Sequence, residues 1–514
     1  MTRPVQPIGR ATLVALATFT LVRLLLPLVS APPFGYFRDE LYFIVCGLRP
    51  DWGYVDHPPL APLLAAAGWK LFGETLYGVR FFPALSGAVT VALTVLLARR
   101  LGAGPFGQAL AGLALLLAPF YLVVGAKLST DSFEILFWTL LAWATLRLVQ
   151  EGDPRLWLLF GAAAGLGLEA KHSVVFFAFA LVAGLFAVRR WELLTSRWVL
   201  AGAGLGLLLF LPNLVWQWQH GWPTLELLNN IRVGNKNVVL GPLAYLGEQV
   251  FLLGPLNLPL WLAGLLWLLR ARDDRNLRVF GVAWLVTFAL IVSLKGKAYY
   301  LGPAYPILFA AGAVAFERFT TTGLRRGLRA LWIGLSLAFT ALILPMGFPL
   351  LSPERTAAHL AWIGIAPRAT EHSHDAVLPQ NLADRLGWEE MVAGLARAHR
   401  SLPATERAKA GIVVQNFGQA GAVDILGRPH GLPPALSGHQ NYFLWGPRGF
   451  TGGVLLVLDD APGALPDLCA SVEDLGPAGS HPHALPGERR NRIYACRGLR
   501  QPLAELWPRI KVWM

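Results

Sequence analysis

The chain has 514 residues, of which 55% are hydrophobic and only 15% charged, with a mean hydropathy of +0.49. A soluble domain carries about 25% charged residues, so this composition excludes a wholly soluble protein and points to a polytopic membrane protein. The net charge of +13 does not point to nucleic acid: arginines cluster between apolar runs, as in Arg99-Arg100, Arg189-Arg190, Arg270/Arg272/Arg275 and Arg325-Arg326/Arg329. Cytoplasmic loops orient a membrane protein in this way, and the anionic inner leaflet is a sufficient partner.

Apolar runs fall near residues 10–30, 80–98, 105–124, 132–150, 156–170, 173–189, 197–216, 246–269, 278–294, 299–317 and 330–350. They predict a mostly α protein with a bundle of about eleven transmembrane helices, the run 156–170 being the shortest. Val29-Ser30-Ala31 resembles a signal-peptide cleavage site, but Pro32 after the cut disfavours cleavage. With the N-terminus in the cytoplasm, the basic clusters all fall on the inner side. The outer side then carries residues 31–79, 125–131, 171–172, 217–245, 295–298 and everything after 350, with most of the acids and all the histidines. No strong internal repeat, P-loop or dinucleotide fingerprint is present.

After residue 350 the composition changes. Pro, Gly, His and charged residues increase, and no run is long enough to span. Gly411-Ile-Val-Val and Gly453-Val-Leu-Leu-Val-Leu read as short buried strands, and 387–400 as a helix with Trp388, Met391, Val392 and Leu395 on one face. The expected organisation is a transmembrane domain, 1–350, followed by a small extracytoplasmic α/β domain, 351–514, with a partly parallel sheet. Cys469 and Cys496 are expected either as a disulfide, if that side is oxidising, or as two buried thiols. Glu371-His372-Ser373-His374-Asp375 has the look of a metal-binding run but reads better as a solvated loop.

The outer loops carry a consistent set of polar residues. The first holds Asp39, Glu40, Tyr42, Asp56 and His57, and the next holds Lys127 and Asp131. Lys171-His172 ends the fifth span, 217–245 carries His220, Arg232 and Lys236, and Lys295-Gly-Lys297-Ala-Tyr299-Tyr300 precedes the tenth. Two adjacent acids where a helix leaves the membrane need water, a partner or a function. Carboxylates with several cations suit a reaction in which a hydroxyl or amine loses a proton while a phosphate departs. The carboxylate acts as general base and the cations stabilise the charge on the leaving group.

Asp39-Glu40-x-Tyr42, His57-Pro58-Pro59-Leu60, Asp131, Lys171 and Lys297-Ala-Tyr-Tyr-Leu-Gly-Pro-Ala-Tyr-Pro306, in this order, resemble the GT-C membrane glycosyltransferases. Their nearest likeness is the branch of protein O-mannosyltransferases and the aminoarabinose transferase of lipid A, over about residues 10–310. The segments Asn416–Asp424 and Leu432–Asn441 resemble the soluble tail of bacterial members. The resemblance implies a sugar donor on a polyprenyl phosphate, undecaprenyl for a bacterial chain, and an envelope acceptor that is a lipid, a glycan or a protein. It implies direct, inverting transfer at the outer face of a bacterial inner membrane. Asp39 matches the catalytic base and Glu40 its neighbour. Tyr42, His57, Asp131, Lys171, His172, Arg232, Lys297 and Tyr300 are the candidate substrate-binding residues, Lys171 and Tyr300 for the lipid phosphate. The tail lacks the repeat-rich β-trefoil of the mannosyltransferases, so protein acceptors are less supported.

Each residue also has a structural reading. Asp39-Glu40 would cap an interfacial helix, His57-Pro58-Pro59 would form a rigid turn, and Asp131 would cap its helix. Lys171 would snorkel to the interface, and Tyr299 and Tyr300 would be interfacial aromatics. No cofactor is certain: Asp39, Glu40 and Asp131 are oxygen donors of the type that hold a divalent metal, whereas the resemblance implies that none is required. The competing function is a transporter or flippase for a lipid-linked or anionic solute. Polar residues gathered at outer helix ends, with few in the middles, favour catalysis at one face.

Overall fold

The computed structural model describes residues 9–29, 34–234, 236–271, 275–367 and 377–514. Ser30-Ala31-Pro32 and Glu371–Asp375 lie outside the described residues. The chain divides into two compact units, each assembled from separate stretches. A helical unit comprises 1–30, 80–216 and 239–348, and a mixed unit comprises 31–79, 217–238 and 349–514. The boundary expected near 350 coincides with one break. The first loop and residues 217–238, however, cluster with the tail rather than with the apolar helices.

In the helical unit every expected apolar run is helical, three of them as a broken pair, because hydropathy is a local property. Five helices are long and apolar enough to cross a membrane alone, Arg10–Val29, Leu76–Arg100, Thr130–Glu151, Arg197–Gln219 and Gly323–Gly347. Three further pairs qualify only as bent spans, with bends of 62° after Leu117, 104° after Leu253 and 59° after Ala304. Pro119, Pro255 and Pro306 open the second halves, where a missing N–H and a clashing ring stop the preceding helix. Leu156–Ala170, Val174–Ala187 and Arg278–Ser293 have 15, 14 and 16 residues. At 1.5 Å per residue these reach about 21–24 Å, less than the ~30 Å hydrocarbon core. By length and composition the count among the described residues is thus five to eight, below the expected eleven.

The helices pack through small residues. A Cβ at Gly264 would lie 2.1 Å from the Leu308 carbonyl oxygen, and one at Gly312 would lie 2.0 Å from that of Leu260. Leu258–Leu269 and Pro306–Phe319 therefore meet backbone to backbone, the contact that replaces hydrophobic burial where the surroundings are themselves apolar. Large side chains such as Leu200, Leu208 and Leu335 stay exposed, as lipid-facing residues do.

In the mixed unit, Arg38–Leu48 packs on Leu60–Leu71 and on Phe417–Leu426. The tail forms a five-stranded sheet of order β2-β1-β3-β5-β4, with β1 Ala410–Val413, β2 Ala435–Leu436, β3 Val454–Asp459, β4 Cys469–Pro477 and β5 Arg492–Leu499. β1 runs parallel to β2 and β3, and β5 runs antiparallel to β3 and β4, so the sheet is partly parallel, as the sequence predicts. Trp388–Ser401 is a helix that buries Trp388, Met391, Val392 and Leu395. Of the two alternatives for the tail cysteines, the structure has the disulfide, Cys469–Cys496, joining β4 to β5.

Candidate functional site

The first-loop acids lie in the mixed unit. Arg38–Leu48 begins after Phe37, and Glu40, in its first turn, folds back to accept the Phe37 backbone N–H at 2.8 Å. Glu40 is fully buried, so this carboxylate caps its own helix. Asp39 is 30% exposed, with Arg38 Nε 3.8 Å away. Of two adjacent acids, one is used for local structure and the other is presented to solvent. Arg38 also lies 3.7 Å from Asp384 and over the Phe417 ring.

Asp56 and His57 sit beside this helix. The Tyr42 hydroxyl donates to Asp56 Oδ1 at 3.0 Å, and His57 Nε2 is 3.7 Å from the same oxygen. His57 Nδ1 lies 3.0 Å from the Pro58 carbonyl oxygen, and its ring packs edge-on to Phe43 and Tyr42. Burial pushes Asp56 up to about 7, opposed by the Tyr42 hydrogen bond and by the charge of Lys236. Burial lowers His57 to about 4, so its imidazole is neutral at neutral pH. A carboxyl group that changes protonation near pH 7 fits general acid–base work. Tyr42, expected against substrate, is fully buried with its hydroxyl engaged. Arg232 is exposed in the last turn of Pro223–Val233, whereas Lys236 is the cation felt at Asp56.

The helical unit holds a second group. Asp131 and Glu134 are one turn apart on Thr130–Glu151, and the Lys171 ammonium pairs with both, at 2.9 Å from Glu134 Oε2. The Ser173 hydroxyl donates to the other oxygen of Glu134. The rings of Tyr300 and Tyr299 stand 4.5 and 5.8 Å from the ammonium. Burial alone would lower the proton affinity of Lys171, but the charges of Asp131 and then Glu134 outweigh it and raise it above the usual range. One ammonium faces two carboxylates, which keep the lysine ionised. His172 Nε2 pairs with Asn213 Oδ1 at 3.1 Å. Lys297 is half-buried, and its carbonyl accepts from the Tyr245 hydroxyl at 2.9 Å.

Asp131, Lys171 and Tyr300, three of the residues singled out in the sequence, lie together, and Glu134 and Ser173, which sequence reasoning did not single out, join them. The spacing Asp131-x-x-Glu134 is a helical i,i+3 signal that marks one face, and it was available. Among the described residues, no group of three or more His, Cys, Asp or Glu side chains is gathered that could hold a metal ion.

The family described as dolichyl-phosphate-mannose-protein mannosyltransferase matches residues 56–216. The polyprenol-phosphate-mannose–protein mannosyltransferase of Corynebacterium glutamicum is 38% identical over 109 residues, 21% of this chain and 21% of that protein. The undecaprenyl phosphate-alpha-4-amino-4-deoxy-L-arabinose arabinosyl transferase of Pseudomonas aeruginosa is 32% identical over 163 residues, 30% of this chain and 29% of that protein. The chain thus matches less than a third of the length of these curated relatives. The structure of ArnT from Cupriavidus metallidurans bound to undecaprenyl phosphate superposes with a TM-score of 0.58 at 15% identity, over 95% of this chain and 98% of that one. Its apo form gives 0.60 at 16%, over 94% and 98%. At that identity the likeness shows the fold, and it extends through the tail. The chain therefore has the fold of the GT-C membrane glycosyltransferases, and its sequence resembles their protein O-mannosyltransferase and aminoarabinose transferase branch.

Proposed function

We propose that the chain is an inverting glycosyltransferase that moves a sugar from a polyprenyl-phosphate donor to an envelope acceptor at the outer face of a bacterial inner membrane, with Asp39 as general base. The observation that carries this reading is the division of labour between the first-loop acids: Glu40 caps the helix, and Asp39 is presented to solvent. In the reaction the acceptor hydroxyl or amine gives its proton to the Asp39 carboxylate and its heteroatom bonds to the anomeric carbon. The bond from that carbon to the phosphate oxygen breaks on the opposite side, and the electron pair leaves with the polyprenyl phosphate. No acid is needed, because the phosphate departs as an anion that cations stabilise. Lys171 and Tyr300 are proposed to orient the lipid phosphate by their resemblance to the family, and their present partners make Lys171 a fixed charge.

The outer placement draws support from two features. The first loop and the 217–238 segment, both expected outside, share a unit with the tail. The Cys469–Cys496 disulfide suits an oxidising compartment. The transporter reading has one observation in its favour, the buried Arg23 inside the span Arg10–Val29. Its guanidinium donates to the Tyr121 carbonyl beside a helix break, which gives it a structural task.

Purified protein in lipid, offered a panel of polyprenyl-phosphate-linked sugars and envelope extract, tests the proposal. Turnover of one donor, reduced at least about 100-fold in a folded Asp39→Asn variant, is the expected result. Turnover of no donor, with solute flux in liposomes, would overturn it in favour of transport.

A further inference from the structure

The tail motif Ser437-Gly438-His439-Gln440-Asn441 has no part in the chemistry above, yet it is built as a hook onto the first loop. Its geometry is costly to form. A Cβ at Gly438 would lie 1.6 Å from the Ile510 carbonyl oxygen, so only glycine allows the C-terminal segment this close. Gln440 is buried with φ at +49°, a backbone conformation that a side chain disfavours. Three contacts hold it there. Its N–H donates to the Val512 carbonyl at 3.1 Å, its side-chain amide to the Met514 carbonyl at 2.9 Å, and its own carbonyl accepts from Trp513 Nε1 at 3.2 Å. Strain that is over-determined in this way is characteristic of segments that must present a group accurately.

The group presented is Asn441. Its side-chain Oδ1 accepts the Val55 backbone N–H at 2.8 Å, and its own N–H donates to the Tyr42 hydroxyl oxygen at 3.2 Å. That hydroxyl in turn donates to Asp56. His439, one residue before Gln440, accepts the Phe417 N–H at its Nδ1 and stacks on the Phe417 ring, which itself packs on Tyr42. The Val55 carbonyl is taken by the Thr224 hydroxyl at 2.9 Å, so the backbone entering Asp56 is clamped on both sides.

We propose that Ser437–Asn441 is a positioning element of the first-loop site and that Asn441 sets the geometry of the Tyr42–Asp56 pair, so that the tail is a working part of the transferase rather than an appended module. The proposal rests on the first loop being the catalytic loop. The titratable and charged groups facing Asp56 are Tyr42 and Cys46 of the helix Arg38–Leu48, His57 beside it, and Lys236 of the 217–238 segment. Of these, Asn441 touches Tyr42, through its backbone N–H, while its side chain holds the Val55 backbone that leads into Asp56.

The test follows Asp56 itself. The infrared carboxyl signal of Asp56, taken as the difference between the full-length protein in lipid and its Asp56→Asn variant, is titrated in parent, Asn441→Ala, Tyr42→Phe and double-variant backgrounds. A hydrogen bond to the ionised form holds proton affinity down, so each single change is expected to raise the midpoint by on the order of one pH unit. The double variant is expected to match Tyr42→Phe alone, because the Asn441 side chain, by holding the Val55 backbone N–H, acts on Asp56 only by seating it against the Tyr42 hydroxyl. A midpoint that does not move in Asn441→Ala, or a shift that adds in full to that of Tyr42→Phe, overturns the proposal. If Asn441→Ala does not fold, Asn441→Ser, whose hydroxyl reaches less far, is read by the same criteria. The titration needs no substrate, so it judges the hook even if no donor is turned over. Undiminished turnover in Asp39→Asn would overturn the first-loop reading alone.

Discussion

Two aspartates, Asp56 in the mixed unit and Asp131 in the helical unit, are partnered in opposite ways. Asp131 shares an ammonium with Glu134. Asp56 has a neutral phenol as its hydrogen-bond donor and a neutral imidazole beside it. Asp131 is paired with a full positive charge, whereas Asp56 has a phenol as its donor and is raised to about 7 by burial. The helical unit thus holds an ion-paired cluster, and the mixed unit holds a carboxyl group, Asp56, that changes protonation near neutral pH. This contrast, more than the number of charges in either place, is why we propose the first loop as the place of proton transfer.

The largest expected effect breaks the contrast on the mixed-unit side. Asp39→Asn should reduce turnover at least about 100-fold with little change in thermal stability, measured by donor consumption and by melting in lipid. Next comes the helical unit. Lys171→Met leaves the Glu134 carboxylate buried beside Asp131 without their cation, which should destabilise the protein by about 3–5 kcal/mol. Adding Glu134→Gln should recover part of that loss in the same melting assay. If Lys171→Met melts like the parent, the cluster is not a fixed structural charge.

A smaller effect belongs to the tail. Replacing Cys469 and Cys496 by Ser opens a loop with a sequence separation of 27 and should cost about 2–4 kcal/mol, read as an earlier melting transition that reductant no longer moves. The smallest effect sharpens the contrast through pH. Asp56, raised to about 7, binds a proton more readily folded than unfolded, so its contribution to stability is present below about pH 4 and is lost as pH rises through 7. His57 and His439, lowered by burial to about 4 and about 3, contribute in the opposite sense: their stabilisation is present above about pH 6.5 and is lost as pH falls through those values. Asp56→Asn should therefore remove a loss of stability between about pH 4 and 7. His439→Gln should lessen acid sensitivity below about pH 6.5. Melting curves across pH 4–8 separate the two, and identical pH profiles in both variants would contradict these assignments.

Much of the fold was legible because its signals are local. Every apolar run became a helix, the strands at 410–413 and 454–459 formed within a residue of their expected positions, and Trp388–Ser401 buried the expected face. Asp39-Glu40 stood out as a candidate pair because two acids at a membrane exit are conspicuous in sequence. The division of labour between them was not, since it depends on Glu40 turning back to Phe37. The span count is where sequence and structure differ: three runs are bent at a proline and three others are short helices, and hydropathy alone does not register a bend.

The sequence by itself determined the membrane class, the helices and the tail strands, and it supplied the candidate site residues, because composition and periodicity act over a few neighbouring residues. Only the tertiary structure decided which of those residues meet. It joined Cys469 to Cys496, Glu134 to Lys171 across 37 positions, and Asn441 to Val55 across 386. Such pairings follow from how helices and strands pack, and a buried hydrogen bond between distant residues leaves no local pattern in either one.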